Sequence, residues 1–284
     1  MIHEVPLGST RLHGAFSRDL SPVLTVDPGD SVRFSLPNSA WRLGPDEELE
    51  RPDPAVDTGH ALLGPIEVRG ARAGQTLAVR VDEVTPGGWG ETFDDAGNRV
   101  RWELHDGLGH TGSRTVRLAP FLGVLGMPPA ERGIHSTRPP RPTGGNIDCK
   151  ELVAGTTLFL PIAVDGALLS AGDGHGAQGD GEVSGWAIEC PVAGRLTLEV
   201  RDDLDLSWPV ARAPDAWLAF GFDEDLGHAA RIALDGMLDL MERERGIPRN
   251  EALVLASVAV DLRVTQIVNL AVGVHAVLRD DALR

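Results

Sequence analysis

Glycine and proline interrupt the first two-thirds of this chain so often that only short extended runs remain between them. A chain cut in this way is best served by strands joined through turns. The 34 glycines and 20 prolines among 284 residues separate β-prone runs such as PVLTV, SVRFSL, GPIEVRG, TLAVRVDEV, TVRLAP, TLFLPIAV, GWAIECP and RLTLEVR. In TLAVRVDEV, Leu77, Val79, Val81 and Glu83 fall on one face and Ala78, Arg80 and Asp82 on the other, the period of two of a half-buried strand. A sandwich or jelly roll accommodates that pattern.

The texture changes near residue 224. In DEDLGHAARIALDGMLDLMERERGIP, the residues Ala229, Ile232, Ala233, Met237, Leu240 and Met241 recur at helical spacing, with acids ahead and arginines behind, which predicts an amphipathic helix. A second helical run is expected over IPRNEALVLASVAVD, with Pro248 in its first turn. VNLAVGVHAVL then alternates as a strand through Val268, Leu270, Val272, Val274 and Ala276. The fold class expected is therefore mainly β with an α/β C-terminal part: a β-rich body over 1–223 carrying the site, and an α/β appendage over 224–284 packed on it as one compact unit.

Charge and residue usage narrow the chemistry. A formal charge of -16 disfavours nucleic acid and anionic membrane surfaces as partners. Lys150 is the one lysine and tyrosine is absent, so catalysis by tyrosine is excluded and by lysine nearly so. Cys149 and Cys190 read as reduced and structural, since a chain with 42% apolar residues does not need a staple. The N-terminal stretch MIHEVPLGSTRLHG lacks a basic region followed by an apolar run, and no window approaches eighteen apolar residues. A soluble, cytoplasmic protein is the expectation.

Residues 170–182, SAGDGHGAQGDGE, place two aspartates, a histidine, a glutamate and five glycines in thirteen positions. Asp173 and His175, two apart in an extended segment, point to the same side, and the flanking glycines permit close backbone approach to whatever they hold. Histidine with several carboxylates suits a divalent ion such as zinc. A calcium loop is a further option through Asp173, Asp180 and Glu182, and so is a merely solvated hairpin. Glu182, at the mouth of an apolar run, is placed for general acid or base work. Asp148 in GGNIDCKEL is presented by a turn, and His60 in DTGHALLGPIEV precedes a strand and could reach the same site. Serine-nucleophile, phosphate-loop and dinucleotide motifs are missing from the sequence. A cupin-like site is disfavoured because His175 is alone in its loop.

Taken together, HALLGPIEVRGARAGQTLAV, GVLGMPP, PPRPTGGNIDCKEL, SAGDGHGAQGDGEVSGWAIE and EALVLASVAVDLRVTQIVN resemble the acetamidase/formamidase family, from about residue 8 to residue 275. The resemblance implies a jelly-roll-like β-sandwich body with additional subdomains, and hydrolysis of short aliphatic amides to a carboxylate and ammonia. Carried over residue by residue, it marks Asp148, Asp173, His175, Asp180, Glu182 and His60 as site positions; of these, Asp148, Asp173, His175 and His60 are the expected ligands of a divalent metal, zinc or else calcium, and Glu182 and Asp180 the expected catalytic acids. Leu63 departs from the family pattern, which often has a hydroxyl residue before G-P, and a changed wall residue would reshape a small pocket. A non-enzymatic calcium- or small-ligand-binding module is the competing reading. A small amide as substrate and a homodimer or larger homo-oligomer complete the expectations, the latter from a body rich in sheet edges.

Overall fold

The computed structural model describes residues 1–283. Two sheets face each other across the main core. One has nine strands, in the order Ile2–Val5, Ser31–Leu36, Val192–Arg201, Thr76–Pro86, Thr157–Pro161, Val210–Arg212, Ala216–Asp223, Val272–Arg279 and Val260–Gln266. The other has six, with Leu169–His175 at its centre between Phe121–Gly126 and Leu62–Val68. Val32, Leu77, Val79, Leu158 and Leu196 of the first meet Leu63, Ile66, Leu122, Leu125 and Leu169 of the second in one continuous apolar cluster. Burying such side chains is worth roughly 1.5–3 kcal/mol each against exposure, and the facing of the sheets is what allows it. A separate four-stranded meander runs from Trp89–Phe93 to Arg114–Arg117. The chain is thus a mainly β sandwich with additional elements, as its turn-rich sequence predicts.

The alternation read in TLAVRVDEV is present, with Leu77, Val79 and Val81 fully buried and Arg80 exposed. Ala78, on the opposite face, is also buried, because a second apolar layer covers that face. Helix α1, Leu226–Arg245, supplies this layer through Ala229, Ala233, Met237, Leu240 and Met241. Its start is capped by Asp225, whose side chain accepts from the His228 N–H at 2.7 Å, and Gly246 ends it in the left-handed region at φ 64°. Pro248 caps helix α2, Arg249–Ala259, from just outside its first turn. The nine-stranded sheet includes strands from both sides of residue 223. No helix among the described residues is long and apolar enough to cross a membrane.

Three local expectations are corrected. The C-terminal strand begins at Val272 rather than Val268, because residues 267–271 form a turn in which Leu270 has φ 70°. The second helical run stops at Ala259, and Val260–Gln266 forms an edge strand paired with Val272–Arg279. GWAIECP is not a regular strand. It is an irregular segment pinned by single bridges from Glu189 to Glu91 and to His175.

Helix α1 lies so close to the sheet that a Cβ on Gly221 would sit 2.1 Å from the Ala229 carbonyl oxygen. Gly221→Ala is expected to destabilise the protein by about 1–3 kcal/mol through overpacking. Gly236→Ala, on α1, meets nothing closer than 3.4 Å and should be neutral or stabilising by up to about 1 kcal/mol. Thermal melts of the two variants check the contrast.

Candidate active site

The site is built on the central strand of the six-stranded sheet. All seven residues of Leu169–His175 are buried. A Cβ on Gly172 would lie 2.4 Å from the Ala61 carbonyl oxygen, and one on Gly174 2.4 Å from a Val192 methyl. These glycines therefore let neighbouring chain close in; the close approach is to protein, not to a bound group as the loop's composition suggested. Asp173 takes φ 61°, uncommon for a residue with a side chain. Its Oδ1 comes within 3.2 Å of His175 Nε2, so the two side chains do share a side.

Asp148 approaches from the turn after the strand Gly144–Asn146, itself at φ 50°. The N–H groups of Ile147 and Asp148 both donate to the Gly123 carbonyl, at 3.0 and 3.2 Å. Gly123 is also the floor of the site. A Cβ there would stand 2.4 Å from Asp148 Oδ1, 2.6 Å from Asp173 Oδ2 and 2.9 Å from the His175 ring. Asn269 donates to Asp148 Oδ2. Gln178 donates to the Asp148 carbonyl at 2.7 Å and accepts from His175 Nδ1 at 3.0 Å. With Nδ1–H so engaged, Nε2 is aimed between Asp173 and Glu189, whose Oε1 is 3.1 Å away.

Glu189 completes the cluster. Ser39 Oγ donates to its Oε2 at 2.7 Å, and the Ala187 N–H to its Oε1 at 3.1 Å. Ligating atoms of Asp173, His175 and Glu189 lie within 4.8 Å of one another, as do those of Asp148, His175 and Glu182. Asp148 Oδ1, Asp173 Oδ1 and Glu182 Oε2 are buried without a hydrogen-bond partner in the protein. The 3.2 Å approach of Asp173 Oδ1 to His175 is thus an ion-pair contact without hydrogen-bond alignment. Three orphaned carboxylate oxygens around one imidazole, on a floor that excludes even a methyl group, fit a divalent cation.

The electrostatics follow from burial and crowding. Burial, then the charges of Glu182 and Asp173, push the Asp148 carboxyl well above its ordinary range. Burial raises Glu182 to about 8, with Glu189 and Asp173 adding to it, and burial also raises Glu189. Burial works against the charge on His175, but Glu189 and Asp173 outweigh it and hold the imidazolium well above 6.5. Burial likewise opposes ionisation of Asp173, and His175 and His60 overcome it, keeping this carboxylate charged.

The remaining expected residues fall in different places. His60 lines the same cleft, of about 540 Å³, with its Nδ1 2.7 Å from Thr137 Oγ1, and belongs to neither group of three. Asp180 is not brought into the cluster. It lies toward the surface, paired with Lys150 at 3.0 Å and with Arg263 Nε at 3.0 Å, and so ties the loop before Glu182 to the edge strand Val260–Gln266. Leu63 packs in the main core instead of lining the cleft. Sequence reasoning passed over Glu189, Gly123, Gln178 and Asn269. An acid three residues past Trp186 in the apolar run GWAIECP was the one available signal.

Two predictions follow from this geometry. Gly123→Ala should displace Asp148 and Asp173 and weaken divalent-ion binding at least tenfold while the fold persists, as read by titration calorimetry and circular dichroism. In metal-free protein above pH 6.5, folded Glu182 keeps a proton that its unfolded counterpart, near 4.5, has already lost, and His175 behaves in the same sense. The stability tied to those protons disappears as pH rises. The buried neutral His13 and His275 oppose this trend only below 6.5. Melting temperature is therefore expected to fall between pH 6.5 and 8, and saturating zinc should reverse the slope.

Comparison with known proteins places this arrangement. The model of the Acetamidase/Formamidase family matches residues 122–214, the segment that carries Asp148, Asp173, His175, Glu182 and Glu189. An acetamidase of Mycolicibacterium smegmatis is 26% identical over 254 residues, covering 61% of this chain and 61% of its own length; the chain spans under two-thirds of that relative. The crystal structure of a predicted acetamidase/formamidase from Thermoanaerobacter tengcongensis superposes with a TM-score of 0.88 at 23% identity, covering 99% of this chain and 97% of the other. An acetamidase from Bacillus halodurans does so with 0.86 at 25%, covering 97% of each. The matched segment, the curated relative and the fold are all similar to those of the acetamidase/formamidase family.

Proposed function

We propose that this chain hydrolyses the C–N bond of short aliphatic amides to a carboxylate and ammonia, with a divalent ion of the zinc type held in the acid cluster. The observation that carries the reading is the set of three buried, unpartnered carboxylate oxygens around His175, at the floor of an open cleft. The names of the relatives supply the substrate class. A donor set with an imidazole favours a zinc-like ion over calcium.

An unactivated amide needs its carbonyl polarised, a water made nucleophilic and its nitrogen protonated. Asp173, His175 and Glu189, with Asp148 beside them, would hold the ion, which when bound supplies the Lewis acidity for the first two requirements. Glu182 serves the third. Its Oε2 is buried, unpartnered and on the cleft wall, and burial lifts its protonation range to about 8. It can accept the proton of the attacking water and hand it to the departing nitrogen. Gln178 and Asn269 hold His175 and Asp148 in place. His60, on the wall of the same cleft, would meet the substrate or the ion, with Thr137 fixing its ring. Asp180 acts at one remove, by anchoring the loop that bears Glu182 to Arg263 and Lys150.

Self-association belongs to the same reading. Leu253, Val254 and Val258 of α2 and Leu262 of the adjoining edge strand are exposed apolar side chains, a surface suited to a second copy.

Ammonia release from formamide and acetamide, followed with metal analysis of the same sample, tests the function. Activity should disappear on chelation and return with zinc. Glu182→Gln should lower kcat by about 10²–10⁴-fold with the metal retained. Full turnover in metal-free protein would remove the ion from the account, and no turnover of any short amide by the metal-loaded protein would remove the activity.

A further inference from the structure

A second group of ligating side chains lies behind the acid cluster, and the proposed hydrolysis makes no use of it. Cys149 and Glu151 follow Asp148 in the chain, and His275 comes from the strand Val272–Arg279. Cys149 Sγ is 3.2 Å from Glu151 Oε2, and His275 Nε2 is 3.5 Å from that same oxygen. One ligand atom from each of the three lies within 4.8 Å of the others. A tetrahedral ion with ligands at about 2.0–2.3 Å sets neighbouring donor atoms roughly 3.3–3.7 Å apart, and the two measured separations lie at or close to that range.

The histidine is the independent indication. His275 is 1% exposed, and Thr265 Oγ1 engages its Nδ1 at 2.8 Å, which fixes the ring. Its Nε2 is left buried with no hydrogen-bond partner, pointing at Glu151. A buried nitrogen so placed is costly unless something occupies it, and a ring held through one nitrogen so that the other can ligate is the usual arrangement of a metal-binding imidazole. Arg263 pairs with Glu151 Oε1, which orients the carboxylate so that Oε2 turns toward the sulfur and the ring. Cys149 is fully buried. Glu151 reaches the wall of a second, separate cleft beside Lys150 and Gln178, which gives an ion a path in.

We propose that Cys149, Glu151 and His275 form a second binding site for a thiophilic divalent ion of the zinc class, distinct from the acid cluster and structural in role. A soft sulfur ligand selects zinc, cobalt or cadmium over calcium or magnesium. Binding replaces the S–H···Oε2 hydrogen bond, and the thiol proton leaves to solvent. The ion would clamp the strand Val272–Arg279 to the segment that presents Asp148.

Cobalt(II) titration of the full chain, freed of metal, tests this, because a thiolate ligand adds a near-ultraviolet charge-transfer band that carboxylates and imidazoles do not. Two ions per chain and this band are expected. Cys149→Ser should abolish the band and one ion, while Cys190→Ser, the control for the other thiol, should keep both. His275→Gln should weaken the band-forming site at least tenfold, and serves if Cys149→Ser does not fold. Asp173→Asn should keep the band, so failure of the acid cluster to bind metal is read separately. Absence of the band in the unmodified protein, its persistence in Cys149→Ser, or unchanged affinity in His275→Gln would each overturn the proposal.

Discussion

The structure depends on one electrostatic constraint: four carboxyl groups, Asp148, Asp173, Glu182 and Glu189, buried around a single imidazole. Two like charges about 4 Å apart repel by about 4 kcal/mol at an effective dielectric of 20, so four buried carboxyl groups this close do not all ionise together. Without a cation the protein resolves this by protonation, holding Asp173 charged against His175 while Asp148, Glu182 and Glu189 are driven upward. A divalent ion removes the conflict directly. Acids crowded in this way cost stability, and that cost is the usual mark of a site kept for chemistry rather than for the fold.

The sandwich supplies what the cluster needs. Sheet packing against a fully buried central strand gives a dry, rigid floor, and Gly123, Gly172 and Gly174 let backbone and ligands share space that any Cβ would fill. Asp148 and Asp173 both sit at positive φ, conformations that surrounding hydrogen bonds and packing must enforce. The surface ties are equally specific. Asp180 with Arg263 and Lys150, and the Gly181 N–H donating to Val264 and Thr265 carbonyls at 3.1 Å, fasten the Glu182 loop to the C-terminal edge strand, so the last part of the chain positions a residue of the site.

Much of this was legible beforehand, for physical reasons. SVRFSL is the strand Ser31–Leu36, and the Ala229–Met241 stripe is the buried face of α1, because period and capping are local properties. Asp173 and His175 stand out through their spacing, Glu182 through its place before an apolar run and Asp148 through its turn, the resemblance joins them, and the fold brings all four together. Glu189 did not stand out, since its inward turn is made by two isolated bridges across a segment that reads as a strand. Gly123 was equally silent: its reason is the two carboxylates facing it, a contact between segments far apart in sequence. Asp180 looked equivalent to Asp173 by composition, and only the position of Arg263, brought by the last sheet edge, separates their roles.

The central claim is that the acid cluster is the seat of a divalent ion. An anomalous difference map of zinc-soaked crystals, collected across the zinc absorption edge, tests it most directly. The account predicts a peak bounded by His175 Nε2, Asp173 and Glu189, with Asp148 adjoining. A map without density there at saturating zinc, with the carboxyl groups unmoved, would contradict it.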